Sequence, residues 1–379
     1  MSSANSSSRT DSGTAAGDEN FKYTLKQCII FSYFFTIIAA VLMNSVVLLA
    51  MYFDKRLHNA NKYFVACLAV SDILVAVFSV TIRLHQYLRP GIPLTINSCR
   101  FWIWIDIFTE AASITTLTII SIDRYFKIAR PFTYKTVMSG QKSRFIILFL
   151  WIYSGVIASL GLIPFKGYKG VHLTTRRQCM NDNRAFYTLA VVLVFFLPVI
   201  ILIIMCTMMF RIVKSFQRRR STVYDSNEDK TLNSVVIPRI HNANTASKRI
   251  NSNRRTVGIF SLVVCAFIIC WGPFFILFLI FQYNASLLNF LPGKGVEILS
   301  AICLHILPYI NSFLNPIIYA FLDKSFNVAI RNLFLRIQGR SRLNQSTSYA
   351  LGHLASWSCI LEYRTRLLRN IVFLIREIN

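Results

Sequence analysis

Four ionisable residues stand out inside strongly apolar stretches: Asp72, Asp106, Glu110 and Arg124. At the centre of a bilayer such a group costs about 2.5–3.5 kcal/mol on insertion scales, so each calls for a partner, water or a function. Cys99, Asp106, Glu110, Ser113 and Arg124 follow one another at intervals of 7, 4, 3 and 11 residues. These are near-multiples of a helical turn, which puts the five on one face, expected to look into a bundle. Asp106 lies two turns in from the Cys99 end. A carboxylate there among aromatic rings suits an ammonium group, through ion pairing and cation–π contact. The competing reading is an internal salt bridge. No Lys or Arg stands at matching depth in the first, fourth, fifth, sixth or seventh apolar stretch, which favours a ligand. Glu110, one turn further on, either adds a second carboxylate for a diamine or extended cation, or keeps its proton beside a like charge.

The aromatic partners are Trp271, Phe274 and Phe275, next to Pro273. Proline inside a helix removes a hydrogen bond and leaves a kink, here either a hinge or a static bend. A second polar set comprises Asn44, Asp72, Ser113, Asn311, Ser312 and Asn315. Buried polar groups must satisfy one another. Five neutral groups around one carboxylate either hold a hydrated sodium ion or form a dry hydrogen-bond network.

The elements that position these residues are long and apolar. The 379-residue chain is 54% hydrophobic and 15% charged, with mean hydropathy +0.50. Apolar runs at about 26–53, 62–88, 99–126, 144–165, 186–212, 256–282 and 297–321 can each cross about 30 Å of hydrocarbon. This is an all-α membrane protein: a seven-transmembrane helix bundle. A shorter amphipathic stretch from Asp323 to about Ile337 fits an eighth helix lying in the interface plane.

The net charge of +25 resides mainly between runs and in the tail, which points to an anionic membrane face and away from nucleic acid. Loops after the first, third and fifth runs carry Lys55, Arg56, Lys127, Arg130, Lys135, Lys142, Lys214 and Arg218–Arg220. The positive-inside rule then places the N-terminus outside and the C-terminus in the cytoplasm, although Lys166, Lys169, Arg176 and Arg177 weaken the contrast. Sequons at Asn5 and Asn284 fall on the outer side, as glycosylation requires. Residues 1–25 form a polar extracellular tail without a signal-peptide pattern, so the first run is expected to direct insertion. Residues 26–338 form the membrane domain and 339–379 a cytoplasmic tail. Within that tail, 357–375 mixes Leu, Ile and Arg with no tidy helical face. The polar segment 215–253 reads as a flexible loop, and Arg218–Ser221 as either a phosphorylation site or a solvated charge cluster.

Of nine cysteines, Cys67, Cys206, Cys265, Cys270 and Cys303 lie inside apolar runs and read as inert core residues. Cys99 and Cys179 both face the oxidising side of this topology. A disulfide between them would draw the loop after the fourth run over the pocket; Cys28 is the rival partner. No C-x-x-C metal spacing and no nucleophile–base pair appears, so an enzyme is not expected. No internal repeat supports a transporter.

The chain resembles the rhodopsin-like G-protein-coupled receptors over about residues 25–338. The resemblance rests on Asn44, Leu68–Asp72, Asp123-Arg124-Tyr125, Trp151, Pro198, Phe267 with Cys270–Pro273, and Asn315-Pro316-Ile317-Ile318-Tyr319, one motif per run in order. Within that family it is similar to the biogenic amine branch, particularly adrenergic-type receptors. Asp106 matches the amine-binding aspartate, Tyr309 the tyrosine that hydrogen-bonds it, and Pro131–Lys135 the second intracellular loop. The resemblance implies a small cationic ligand from outside at a plasma-membrane receptor. It also implies a heterotrimeric G protein entering beside Arg124 with Phe132 in contact, and regulation by receptor kinase and arrestin. A class A receptor for a short basic peptide is the alternative. Departures are Ala190, Val191 and Val194 where catecholamine receptors carry serines, Glu110, Cys206 in place of a tyrosine, and Asn253-Arg254-Arg255 where an acidic latch residue often stands. The missing latch implies raised ligand-free signalling.

Overall fold

The computed structural model describes residues 7–54, 57, 61–89, 95–165, 167–174, 179–228, 236–322 and 324–337. Seven helices are long and apolar enough to cross a membrane: Gly17–Phe53, Tyr63–Leu88, Ile96–Ala129, Gly140–Leu160, Arg184–Ser215, Arg254–Tyr283 and Gly293–Ile318. They are called the first to seventh spans below. Large apolar side chains face outward along them, Phe31 at 73% exposure, Phe149 at 68% and Ile269 at 63%. Such an exterior is stable only in hydrocarbon. The third span is the axial one: it packs against the second, fourth and fifth, while the seventh packs against the first and sixth.

Local chemistry sets the ends. Thr95 caps the third span, its hydroxyl accepting the Ser98 N–H at 3.1 Å, and Asn183 caps the fifth by accepting the Phe186 N–H at 3.0 Å. Each cap satisfies an N–H that the first helical turn leaves free. Pro131 opens the short helix Pro131–Val137, where its missing N–H costs nothing. Pro273 and Pro316 lie inside the sixth and seventh spans.

Three spans contain a π-helical turn: Val75–Val80 in the second, Val191–Phe196 in the fifth and Ala301–Ile306 in the seventh. Such turns hold one extra residue per turn, and they concentrate at functional sites. The first re-aims the remainder of the second span, Thr81–Leu88, and the Thr81 hydroxyl donates to the Ala76 carbonyl, five residues back, at 3.0 Å.

Between the fourth and fifth spans, β1 (Val171–Leu173) pairs antiparallel with β2 (Cys179–Asn181), with His172 opposite Met180. The hairpin begins at Gly170, whose φ of 70° and 3.2 Å approach to Pro164 exclude a side chain. Asp182 accepts the N–H groups of Gly170 at 2.8 Å and Lys169 at 3.2 Å. Partial desolvation acts to raise its pKa, but the two N–H groups outweigh this and hold the carboxyl below its ordinary range.

Helices extend past the apolar runs. The first starts at Ser7 rather than near residue 26, because Glu, Lys and Ala continue a helix without an apolar pattern. The segment 215–253, read from sequence as a loop, is helical up to Glu228 and again from Val236. Arg, Lys and Gln are good helix formers, and polarity alone did not separate a solvated helix from coil. Asn5, Asp323 and the tail 339–379 lie outside the described residues, as do the side chains of Tyr319, Lys135, Arg219, Arg220, Ser221 and Asn253. The chain divides at residue 330 into two units, and the second, 331–379, is described only over the last turns of the helix Lys324–Ile337.

Candidate functional site

The second and third spans meet at Asp106. Its Oδ2 pairs with Nη2 of Arg83 at 2.6 Å, and its Oδ1 accepts the hydroxyl of Ser79. This overturns the reading of Asp106 as a carboxylate with no basic neighbour. The counter-charge comes from the second span, on the turns that follow the π segment. The side chains remain 15% and 19% exposed, so the pair is reachable from solvent. The Arg83 guanidinium carbon lies 5.2 Å from the Trp102 ring centre and 5.6 Å from that of Tyr309. Tyr309 therefore presents its ring to Arg83, and among the described residues it makes no hydrogen bond to Asp106, contrary to the expected contact. Arg83 occupies the place that contact would need.

Glu110 sits one turn along and within electrostatic reach of both Asp106 and Arg83. No hydrogen bond or ion pair holds it among the described residues. On the other flank, His305 of the seventh-span π turn is bracketed by two tyrosines. The Tyr33 hydroxyl lies 2.9 Å from Nδ1 and that of Tyr87 3.2 Å from Nε2. A neutral ring, one nitrogen donating and one accepting, satisfies both hydroxyls. Tyr33 also packs edge-on to Tyr87 and Tyr309.

The aromatic side of the site is a separate stack. Trp271 stacks with Phe275 at 5.6 Å, Phe275 with Phe195 of the fifth span at 4.4 Å, and Phe274 with Phe278 at 6.1 Å. Tyr187 bridges the two groups: its ring meets Phe278 at 5.3 Å, and it lies within the electrostatic reach of Asp106 and Glu110.

The disulfide joins Cys99 to Cys179, with Cα atoms 5.5 Å apart, and Cys28 is free. It fixes β2 to the top of the third span, where Cys99, Ile103 and Val171 pack with Trp102, Leu173 and Cys179. Trp102 thus touches both the hairpin and Arg83.

Deeper in the bundle, Asp72 accepts Ser113 at 3.0 Å on Oδ1 and Asn315 Nδ2 at 3.2 Å on Oδ2. Asn44 Nδ2 donates to the carbonyls of Ala40 and Ser312, both at 2.9 Å. The Oδ1 atoms of Asn311 and Asn315 are buried without a hydrogen-bond partner among the described residues. Asn315 touches the Asp72 carboxylate through Nδ2 and keeps its Oδ1 unpaired among the described residues, and a carboxylate with such neutral oxygens is the donor chemistry that a sodium ion takes.

At the far end, the Tyr134 hydroxyl donates to Asp123 at 2.6 Å. Burial first, and then Asp123 itself, push the Tyr134 phenol above its ordinary pKa, so it remains a donor. The Arg124 guanidinium lies 5.2 Å from the ring centre of Phe260 on the sixth span, and Phe132 is 80% exposed. Tyr125 packs edge-on to Phe126. Asn284 is exposed, and its side chain accepts the Ser286 hydroxyl within the sequon.

Arg83, Ser79, Trp102, His305, Tyr33 and Tyr87 were not singled out from sequence. A signal for Arg83 was present. It follows Asp72 by eleven residues, three helical turns, so both share the inward face of the second span.

The bundle, its disulfide and its motif order define a class of protein, a seven-helix membrane receptor. The seven transmembrane receptor (rhodopsin family) pattern matches residues 43–319, and the chain belongs to that family. It is 27% identical over 331 residues to the octopamine receptor beta-1R of Drosophila melanogaster, covering 84% of this chain and 63% of that one. It is 28% identical over 340 residues to the alpha-1A adrenergic receptor of Rattus norvegicus, with 84% and 69% covered. It is also 25% identical over 381 residues to the 5-hydroxytryptamine receptor 2B of Dichotomyctere fluviatilis, with 84% and 79% covered. The chain thus spans less than two thirds of the length of the octopamine receptor it matches.

Proposed function

We propose that this chain is a plasma-membrane receptor, N-terminus outside, whose ligand brings a protonated amine to Asp106 and which activates a heterotrimeric G protein at the Arg124 end. The relatives are named for amines, octopamine and 5-hydroxytryptamine, or as adrenergic. One observation carries the reading: two carboxylates, Asp106 and Glu110, face a single guanidinium, Arg83, in a partly open aromatic site. Asp106 keeps lone pairs beyond those that Arg83 and Ser79 take, and an ammonium group can use them.

Arg83 decides how the ligand enters. Taking Asp106 away from Arg83 leaves a half-buried guanidinium uncompensated, which costs up to about 3 kcal/mol. The ligand then acts by differential affinity for two arrangements of the bundle. Trp271 and Pro273 on the sixth span are the elements that transmit the change, and the G protein docks beside Asp123, Arg124, Tyr125 and Phe132. Tyr319 belongs to the same switch, a receptor kinase and arrestin follow activation, and Asn5 and Asn284 carry glycans. Asp72, Ser113, Asn311 and Asn315 would hold a sodium ion, which supplies a positive charge beside Asp72 when bound.

The test is a panel of amines on the expressed receptor, read as G-protein activation and repeated with Asp106→Asn and Glu110→Gln. Loss of response with Asp106→Asn is expected. An undiminished response in that variant would remove the ammonium seat.

A further inference from the structure

Arg83 changes what the site asks of its ligand; the inference rests on the ammonium-seat reading above. A guanidinium offers five N–H donors in a planar fork. Asp106 engages Nη2, while the Nε–H of Arg83 is buried with no acceptor among the described residues. The indole N–H of Trp102 is buried and without an acceptor as well, and its ring centre lies 5.2 Å from the same guanidinium. Buried donors are nearly always paired in folded proteins. Two unused donors on neighbouring side chains, in a layer that solvent reaches, mark the place of a missing acceptor.

A plain monoamine satisfies neither donor. It also competes for Asp106, the one acceptor that Arg83 has among the described residues. A molecule carrying both an ammonium and a carboxylate offers Asp106 a cation and the two unused donors an acceptor. Its ammonium takes Asp106, and its two oxygens take Arg83 and Trp102, in the geometry that guanidinium and carboxylate share. The charge of the Arg83–Asp106 pair stays balanced throughout. We infer that the ligand is a zwitterion, an amino acid or another amine bearing a carboxylate, with Arg83 and Trp102 as the carboxylate seat.

The test uses the full chain in lipid nanodiscs and reads the ligand-induced rise in Tm against concentration. Two matched sets serve as probes: 2-phenylethylamine, phenylalanine and phenylalanine methyl ester; and butylamine, 4-aminobutyrate and its methyl ester. In at least one set the acid is expected to half-saturate at a concentration at least tenfold below both the amine and the ester. Trp102→Phe keeps an aromatic ring beside Arg83 and deletes the N–H together with the pyrrole half of the indole. It is expected to weaken the acid three- to tenfold more than the amine. Arg83→Gln is expected to abolish or reverse the preference. An amine or ester equal to its acid in both sets on the wild-type chain overturns the carboxylate seat while leaving the ammonium seat standing. A preference that survives both substitutions overturns it too. Silence of all six compounds on folded wild-type protein removes the ammonium seat itself, and the inference with it.

Discussion

Arg83 and Asp106 face each other across the second and third spans at 2.6 Å, and the π turn at Val75–Val80 lies directly before the helical turns that carry Arg83. The same turn carries Ser79, the second donor to Asp106. An internal cation thus already occupies the carboxylate that the family resemblance assigns to a ligand.

The pair is expected to behave as a coupled unit in stability. Asp106→Asn and Arg83→Gln each leave one half-buried charge without its partner, at a cost of up to about 3 kcal/mol, less than for a fully buried pair because both side chains keep contact with solvent. The double variant Asp106→Asn/Arg83→Gln removes both charges and is expected to be less destabilised than the sum of the singles, by about 1–3 kcal/mol. Thermal unfolding of the four proteins in nanodiscs measures the coupling, and strict additivity would show that the pair contributes nothing.

Much of this was legible in the sequence. Length and hydropathy defined the seven spans, and the intervals from Cys99 to Arg124 defined the inward face of the third. Arg83 shares the inward face with Asp72 by spacing, but which residue of another span it meets is not written in the periodicity of its own helix. The hydrogen bond from Tyr309 that the resemblance implies presumes an Asp106 that nothing else holds, whereas Arg83 and Ser79 hold it here. The helical continuation to Glu228 was hidden because a solvated charged helix and a coil share one composition.

The Cys99–Cys179 bridge is expected to act on the site through Trp102. Removing a native disulfide costs about 2–5 kcal/mol, and here it also frees β2 from the turn that carries Trp102. Cys179→Ser should lower the Tm and weaken ligand binding together. Weaker binding with an unchanged Tm would point to a different linkage between hairpin and site.

Asp182 gives a pH dependence with a definite sign. Its folded-state pKa lies below the ordinary carboxylate value, so its stabilisation is fully present above that value and is lost as the pH falls through the depressed one. Hydrogen exchange at the amides of Lys169 and Gly170 should therefore stay slow from neutral pH down to the usual carboxylate range and rise only in stronger acid. Asp182→Ala should make both amides exchange fast at neutral pH. Protection equal to wild type in that variant would show that the hairpin is held without the carboxylate.

The oxygens left over beside Asp72 call for an ion-specific test. Replacing N-methylglucamine chloride with sodium chloride at constant ionic strength should raise the Tm of the wild-type chain, because an ion that binds only the folded state stabilises it by mass action. Asp72→Asn removes the only charge among the named ligands and should flatten the response. A sodium effect of equal size in Asp72→Asn would leave a dry network as the account of Asn311 and Asn315.

Arg124 rests over Phe260 where related receptors often place an acidic partner on the sixth span. A cation–π contact is worth about 0.5–2 kcal/mol, less than a buried ion pair. That contact is one restraint between the third and sixth spans, and cells expressing this chain should show G-protein activation above mock-transfected cells without ligand, as the absence of an acidic residue at Asn253-Arg254-Arg255 implies. Phe260→Ala removes the contact. A loss of about 1 kcal/mol from the resting arrangement shifts its population about fivefold, so basal activation should rise further, up to the ceiling set by full activation. Phe260→Tyr keeps an aromatic face under the guanidinium and should stay near wild type. A basal signal equal to mock in the wild-type chain, or one unmoved by Phe260→Ala at matched surface expression, would show that Arg124 is held in the resting state by something other than this ring.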